Sequence, residues 1–238
     1  MKLSCIGCGP GDPDLLTVKA VDRIRKAQII FAPTSREGKP SIALSIVRQH
    51  ISETANSVNL LFPMIKDRES LRPQWRNNAT MIGNAVREGK ETVYLTVGDP
   101  SMYSTWTYIN NEIKQNFKDI EVEVIPGITS FLAFAAEAKM SLVEADQTLG
   151  IVPSCYDLDK VKNTAKACDA VVFLKDGRYF DSVIAMLPDA GFSDSSVVTI
   201  AQDLSGEKEI MKISNLGELR RTKNPAGKYF SLMVAKKN

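Results

Sequence analysis

The chain has 238 residues, a formal net charge of +2, an apolar fraction of 44% and a charged fraction of 24%. This length allows one large or two modest domains with a real core, and the composition is typical of a globular protein. The low net charge argues against a general nucleic-acid binder, and no apolar run reaches the ~18 residues that span a bilayer.

The amino terminus enters a predicted strand at once, without the apolar segment of a signal peptide, so we expect a cytoplasmic protein. Cys5 and Cys8 form a C-x-x-C pattern, while Cys155, Cys168 and the single histidine His50 are far away in sequence. A redox pair or a zinc site is therefore an alternative. Because Cys5 lies in an apolar strand and Cys8 in a glycine-rich turn, we favour buried reduced thiols and expect no metal.

The first half alternates strands and helices, which predicts a parallel sheet with right-handed crossovers. The segment from Met64 is rich in charge and interrupted by Pro73, and a helix is predicted to follow it. The predicted strands are residues 3–9, 28–32, 58–62, 93–97 and 121–125, and the predicted helices are residues 15–26, 41–49, 78–88, 101–115 and 131–140.

The loop after the first strand has glycines at positions 7, 9 and 11, close to the dinucleotide pattern G-x-G-x-x-G. The place of the third glycine is taken by Asp12, Pro10 and Pro13 remove amide donors, and Asp14 adds negative charge. A pyrophosphate needs free amides and a positive helix end at this point. The loop therefore argues against NAD and FAD, and it suits a cationic or neutral nucleoside without phosphates.

The stretch from Val93 to Ser104 is a buried strand that ends in Gly98-Asp99-Pro100 and then leads into a helix. Such a loop lies at the carboxyl edge of a sheet, where open α/β sheets bind small ligands. An ordinary turn would have the same pattern, so the stretch gains weight from the other motifs.

The second half predicts a mixed sheet, because its last strands include a hairpin-like connection with Gly206. We place the boundary after residue 126, with an amino-terminal α/β domain over 1–126, a carboxyl-terminal α/β domain over 127–238, and a ligand cleft between them. The predicted strands are residues 149–152, 170–174, 196–201, 209–213 and 229–235, and the predicted helices are residues 158–167, 179–187 and 216–222.

Four stretches resemble the tetrapyrrole methylases in order and spacing: GCGPGDPDLLTVKA, LTVGDPSMYSTWTYI, VIPGITSFLAFAA and FLKDGR. Within that family, SREGKPSIALSIV, FPMIKDRESL and GDPSMYST followed by Tyr108 are similar to the precorrin-2 C20-methyltransferases. The resemblance implies methyl transfer from S-adenosylmethionine (SAM) to carbon 20 of precorrin-2 or its cobalt complex, in cobalamin biosynthesis. It also implies S-adenosylhomocysteine (SAH) as product, a bent cofactor between two α/β domains, no metal and a homodimer.

The resemblance also assigns site residues. Arg36, Lys39 and Tyr103 are expected to bind the substrate, a polycarboxylate, although a solvated loop is as good an interpretation for the first two. A base that removes the carbon-20 proton is left open between Asp12, Asp99 and Tyr103. Further cationic candidates are Arg68, Arg72 and Arg178. The implied SAM contacts are Pro10, Asp99, Met102, Thr129, Ser130 and Leu174, with Ala201 and Phe230 on a looser alignment.

Other functions fit some of these features. The nearest is another tetrapyrrole methylase, acting on uroporphyrinogen III or a later precorrin. The same family includes diphthine synthase and a ribosomal RNA methyltransferase, and dispersed cations argue against the RNA substrate. A SAM- or tetrapyrrole-binding protein without turnover and a nicotinamide oxidoreductase complete the alternatives.

Overall fold

The structure is a computed structural model that describes residues 1–65, 67–175, 177–202, 210–222 and 231–238. It divides into two compact units, Met1–Ser130 and Phe131–Asn238. The sequence predicts the boundary after residue 126, a few residues earlier. Gly127 belongs with the first unit because its backbone packs against Gly7.

The first unit is built on a five-stranded sheet in which every neighbouring pair is parallel, in the order β3-β2-β4-β1-β5. β1 and β4 lie inside the sheet and are almost wholly buried, which explains their continuous apolar sequences. The prediction of a parallel sheet is thus confirmed. The strands are β1 Lys2–Gly7, β2 Ile29–Thr34, β3 Asn56–Leu61, β4 Thr92–Thr96 and β5 Glu121–Ile125.

Helices follow these strands and cover the sheet. Thr17 begins α1 and Ser41 begins α2, each accepting a hydrogen bond from a backbone amide in the first turn. One face of the sheet packs Phe31 and Tyr94 against α3 and α4, and the other packs Ile30 against α1 and α2. The helices are α1 Val18–Lys26, α2 Ile42–Val47, α3 Arg68–Arg87, α4 Trp106–Asn116 and α5 Ser130–Glu137, the last of which crosses the unit boundary.

α3 begins ten residues before its predicted start at residue 78 and carries Pro73 in its interior. Proline removes one backbone donor and costs a helix interior about 3 kcal/mol. The helix tolerates it because Leu71 and Trp75, on either side of it, are buried in the core, and because Asp67 caps the amino terminus. The predicted start of this helix was wrong because Pro73 was taken as a helix break, whereas tertiary packing of the residues around it offsets its cost.

α1 and α4 begin later than predicted. Pro13–Leu15 forms a short 3₁₀ turn before α1, and Tyr103 has a φ of 51°, which no α-helix accommodates. The residues between β4 and α4 are therefore a true loop.

The second unit has a mixed sheet, as predicted, in the order β6-β7-β10-β8-β9. Only β6 and β7 are parallel; β10 is antiparallel to β7 and β8, and β9 is antiparallel to β8. The hairpin connection with Gly206 lies outside the described residues. The strands are β6 Leu149–Val152, β7 Ala170–Leu174, β8 Val197–Gln202, β9 Ile210–Asn215 and β10 Ser231–Lys236, and the helices are α6 Leu158–Ala167, α7 Phe180–Met186 and α8 Leu216–Arg221.

Within the described part of the chain, no helix combines the length and the apolar character needed to cross a membrane.

Candidate functional site

Three loops meet at the carboxyl edge of the first sheet, after β1, β4 and β5. Gly9 and Gly98 exchange backbone hydrogen bonds of 3.3 and 2.8 Å, and the Cys8 amide donates to the Thr96 carbonyl at 2.8 Å. Both glycines have positive φ values, 72° and 71°, which L residues rarely adopt. The loops after β1 and β4 are therefore joined backbone to backbone.

A third close contact brings in the end of β5. A Cβ on Gly127 would lie 2.3 Å from the Gly98 carbonyl oxygen, and one on Gly7 would lie 2.6 Å from the Gly127 nitrogen. Neither position leaves room for a side chain. Gly7, Gly98 and Gly127 thus pack backbone to backbone in an arrangement that we call the glycine cradle. Of these three positions, Gly98 is the one at which an added Cβ would meet nothing within 4 Å, so a ligand can approach the backbone there.

Asp99 braces this cradle. One carboxylate oxygen accepts hydrogen bonds from the Ser101 amide at 2.8 Å and from the Ser101 hydroxyl, and the other accepts from the Gly127 amide at 3.0 Å. Burial raises the pKa of Asp99, but these hydrogen bonds outweigh it, so the pKa lies below its ordinary value. A carboxylate with a lowered pKa is a weak base, so Asp99 is better suited to positioning the loop than to removing a proton.

Two hydroxyl pairs fix the other end of the loop after β4. The Tyr94 and Thr105 hydroxyls lie 2.7 Å apart, and the Thr96 and Ser104 hydroxyls lie 2.8 Å apart. Ser104 Oγ also accepts from the Trp106 amide at 3.0 Å. The sequence analysis missed these pairs; the alternation of Tyr94 and Thr96 on one face of β4 was the available signal.

Met102 and Tyr103 lie at the apex of this braced loop. The Met102 amide donates to the Asp99 carbonyl at 3.2 Å, and Tyr103 is 49% exposed with its backbone in the left-handed region. Strained, exposed residues held by a rigid surround are typical of ligand-binding loops.

Thr129 lies directly before α5 and close in sequence to Gly127. Its Oγ1 is buried and has no hydrogen-bond partner among the described residues. A buried hydroxyl without a partner costs about 1–3 kcal/mol, so it fits a site in which a ligand supplies the missing partner. Ser130 is the first residue of α5, at the same edge.

Pro10 follows Gly9 and so lies beside the loop after β4. The next residues turn through Asp12, whose carboxylate accepts a hydrogen bond from the Asp14 amide at 2.9 Å. The Asp14 amide is therefore occupied and the local charge is negative, and both features disfavour a bound phosphate, as predicted from the sequence.

Arg36 and Lys39 lie at the same edge, after β2, which is next to β4. The Thr34 hydroxyl lies 3.0 Å from the Arg36 carbonyl and 2.9 Å from the Lys39 carbonyl, which holds their loop in place. Both side chains are exposed, and neither pairs with an acidic side chain in the described part of the chain. Of the further cations, the Arg68 side chain lies outside the described residues, Arg72 pairs with Glu69, and Arg178 is exposed.

In the second unit, Leu174 on β7 and Ala201 on β8 lie on either side of Leu232 on β10. The fold therefore brings these two predicted contacts close together, and both are buried. Phe230, the third, lies outside the described residues.

Lys175, directly after β7, was missed by the sequence analysis although it stands in the FLKDGR stretch. Its φ is 63°, and its amide donates to the Ser231 carbonyl at 3.0 Å. The residue is exposed as a whole, but desolvation of the ammonium lowers its pKa. Nothing in the sequence signals the left-handed backbone.

Cys5 and Cys8 lie on opposite faces of the first sheet, Cys5 against α3 and α4 and Cys8 against α1 and α2. The four cysteines, all within the described residues, form no disulfide, and burial raises the pKa of Cys8 to about 12. Cys5 and Cys8 are thus buried thiols that cannot form a pair. Among the described residues, no group of three or more His, Cys, Asp and Glu side chains could hold a metal ion.

Known proteins are similar to this chain over most of its length. A family model for tetrapyrrole (corrin/porphyrin) methylases matches residues 2–220. The chain is 34% identical over 231 residues to a probable cobalt-precorrin-2 C(20)-methyltransferase of Methanocaldococcus jannaschii, covering 93% of this chain and 97% of that protein. It is 32% identical over 207 residues to a cobalt-precorrin-2 C(20)-methyltransferase of Salmonella typhimurium, covering 87% and 86%.

Several solved structures share the fold. A uroporphyrin-III C-methyl transferase of Thermus thermophilus, complexed with S-adenosylhomocysteine, superposes with a TM-score of 0.67 at 18% identity, covering 99% of this chain and 97% of that one.

Proposed function

The chain belongs to the tetrapyrrole methylases, and we propose that it transfers the methyl group of SAM to carbon 20 of precorrin-2 or cobalt-precorrin-2 in cobalamin biosynthesis. The choice of carbon 20 is supported by the two relatives, whose names assign that reaction to them. The observation in this structure that carries the proposal is the glycine cradle together with the buried Thr129 hydroxyl, which has no hydrogen-bond partner among the described residues.

The residues at this edge fit SAM, a cationic nucleoside without phosphates. Gly98 has open space where a side chain would lie, Thr129 offers a hydroxyl, and Asp12 and Asp99 provide a negative field. Bound SAM supplies a methyl group that its sulfonium has already activated, so the chain needs no nucleophile of its own. Pro10, Met102 and Ser130 lie on the same loops and are proposed as further contacts.

The chain's own task is alignment. The hydrogen bond from the Gly127 amide to Asp99 and the one between the Ser104 and Thr96 hydroxyls fix the loop after β4 at both ends. A rigid loop holds the reacting atoms in line, and such positioning contributes as much as ~7–11 kcal/mol in well-oriented reactions. Because Asp99 is proposed to position the loop, Asp12 and Tyr103 are the candidates for the base that removes the carbon-20 proton.

The second unit is proposed to complete the cofactor site through Leu174, Ala201 and Phe230. Lys175 joins this set, because a desolvated ammonium at a strand end can bind a carboxylate of either ligand. The cleft between the two domains stays a prediction.

The test is an anaerobic incubation with methyl-labelled SAM and precorrin-2, with and without cobalt. We expect one labelled methyl group per ring, assigned to carbon 20 by NMR, and SAH as product. Methylation of uroporphyrinogen III or of a different carbon would instead favour another tetrapyrrole methylase. Binding of SAH without any turnover would identify a carrier.

We also propose a homodimer in the cytoplasm. The four cysteines, all of them described, form no disulfide, which fits a reducing compartment. Sedimentation of the purified protein tests the dimer, and a monomer at micromolar concentration would contradict it.

A further inference from the structure

The segment after β3 carries two consecutive exposed apolar side chains at the carboxyl edge of the first sheet. Met64 is 65% exposed and Ile65 is 56% exposed, and Pro63 separates them from the buried Phe62. The Phe62 amide donates to the Thr34 carbonyl at 2.8 Å, so the ends of β3 and β2 remain side by side here. A single exposed apolar residue is ordinary, but two in succession at a ligand-binding edge suggest a binding role.

The strand order sets their neighbours. β2 lies between β3 and β4, so the loop with Arg36 and Lys39 lies between Met64–Ile65 on one side and the loop of Tyr103 on the other. By strand order, the loop with two exposed cations thus lies between segments that carry exposed apolar and aromatic side chains. This arrangement is complementary to a flat apolar ring with carboxylates around its rim.

We propose that Met64, Ile65 and Tyr103 form an apolar platform for one face of the tetrapyrrole ring, while Arg36 and Lys39 bind carboxylates at its rim. The proposal rests on the proposed function and adds Met64 and Ile65 as residues that select a macrocycle. It also assigns the acceptor to the β3–β2 part of the edge, with Tyr103 of the loop after β4 at its border, and the methyl donor to the loops after β4, β1 and β5.

The charge of this face favours a polycarboxylate ring over a second copy of the chain as its occupant. A self-complementary contact through this face would bring two Arg36–Lys39 loops to one interface, where like charges repel. A polycarboxylate ring is attracted to the same loop.

The test compares Met64→Gln/Ile65→Gln with Met81→Gln, a control on α3 that is 41% exposed. For the platform pair we expect KM for precorrin-2 to rise about tenfold at low and at high salt, since the lost contact is apolar. For Arg36→Gln/Lys39→Gln we expect a rise that shrinks at high salt. The Kd for SAH, measured by calorimetry, stays unchanged in all three variants, and Met81→Gln matches the wild type.

A platform variant with wild-type KM overturns the proposal. If the wild type is a dimer and the platform variant is a monomer with unchanged KM, the proposal is also overturned, because the occupant of this face is then a second copy of the chain. If no tetrapyrrole is methylated at all, the proposed function fails. The platform is then tested by the binding of uroporphyrin III, a flat polycarboxylate probe. Weaker binding of this probe to the platform variant than to Met81→Gln supports the platform, and equal or absent binding overturns it.

Discussion

Gly127 has no room for a side chain, and this single position ties together two loops of the proposed cofactor site. In Gly127→Ala the new Cβ would lie 2.3 Å from the Gly98 carbonyl oxygen, so the β4 loop and the end of β5 must move apart and strain the bond from Gly127 to Asp99. We expect the Kd for SAH to rise at least ~10-fold, or about 1.4 kcal/mol, by calorimetry.

Gly89→Ala is the matched control for Gly127→Ala. An added Cβ at Gly89 meets nothing within 4 Å, but the φ of 80° is strained for alanine. This variant should lose about 1–2 kcal/mol of unfolding free energy and bind SAH normally. If both variants bind equally well, the cradle does not form the cofactor site.

Glu123 is held by three cations and gives a pH dependence that can be measured. Arg23 donates to it at 2.9 Å, Lys19 lies 2.7 Å away and Lys2 lies 3.4 Å away. The hydrogen bonds from Arg23 and then Lys19 lower its pKa from 4.5 to about 2 against the opposing effect of burial. A depressed folded-state pKa stabilises the fold above the unfolded pKa, and this stability is lost as pH falls from about 4.5 towards 2.

The comparison for Glu123 is Glu123→Gln, followed by urea unfolding between pH 7 and pH 2. The wild type should exceed the variant in unfolding free energy at pH 7, and the difference should shrink below pH 4.5. A difference that stays constant with pH would show that the charge contributes nothing.

At the scale of elements, Gly83 of α3 packs closely against Phe117, the residue that follows α4. Replacing a helix-interior glycine by alanine usually stabilises by about 1 kcal/mol. A Cβ on Gly83 would lie 2.3 Å from the buried ring of Phe117, so Gly83→Ala should instead destabilise by about 1–3 kcal/mol in urea unfolding. Phe117→Leu makes room, and the double variant should be more stable than the sum of the single effects. A stabilised Gly83→Ala would contradict this packing.

The loop between β4 and α4 offers a second element-scale prediction. Tyr94→Phe or Thr105→Val alone leaves one hydroxyl of a part-buried pair without its partner and should cost about 1–3 kcal/mol, whereas the double variant should recover most of it. The double variant nonetheless lacks an anchor of the loop, so its Kd for SAH should rise a few-fold. Wild-type affinity in the double variant would limit the pair to a structural role.

Sequence reasoning located the elements whose signal is local. The bounds predicted for β5, β6, β7 and α6 are those of the structure, because apolar runs end there at clear breaks. The glycine- and proline-rich loops were placed correctly at one sheet edge for the same reason. The start of α3 was missed because packing around Pro73 decides it.

Within the site, sequence reasoning identified the loops but not their bracing. That Asp99 bonds to Gly127, or Thr96 to Ser104, depends on which strands are neighbours and in what register. Neither is encoded within a single stretch of the chain. The left-handed backbone of Lys175 is a further example, since only the surrounding sheet imposes it.

At the scale of the whole molecule, the proposed contacts at Leu174 and Ala201 require both units to contribute to the cofactor site. The protein provides a direct way to test this, because both of its tryptophans, Trp75 and Trp106, lie in the first unit. Tryptophan fluorescence therefore follows the unfolding of the first unit, while far-UV circular dichroism follows both.

A ligand that binds only the folded state stabilises it by about 2.7 kcal/mol at a concentration of 100 Kd. With SAH in that excess, we expect the thermal midpoints from fluorescence and from circular dichroism to rise together by a few degrees. If only the fluorescence midpoint rises and a second dichroism transition stays in place, the first unit binds the ligand alone. The roles proposed for Leu174 and Ala201 would then be wrong, while the glycine cradle would remain the cofactor site.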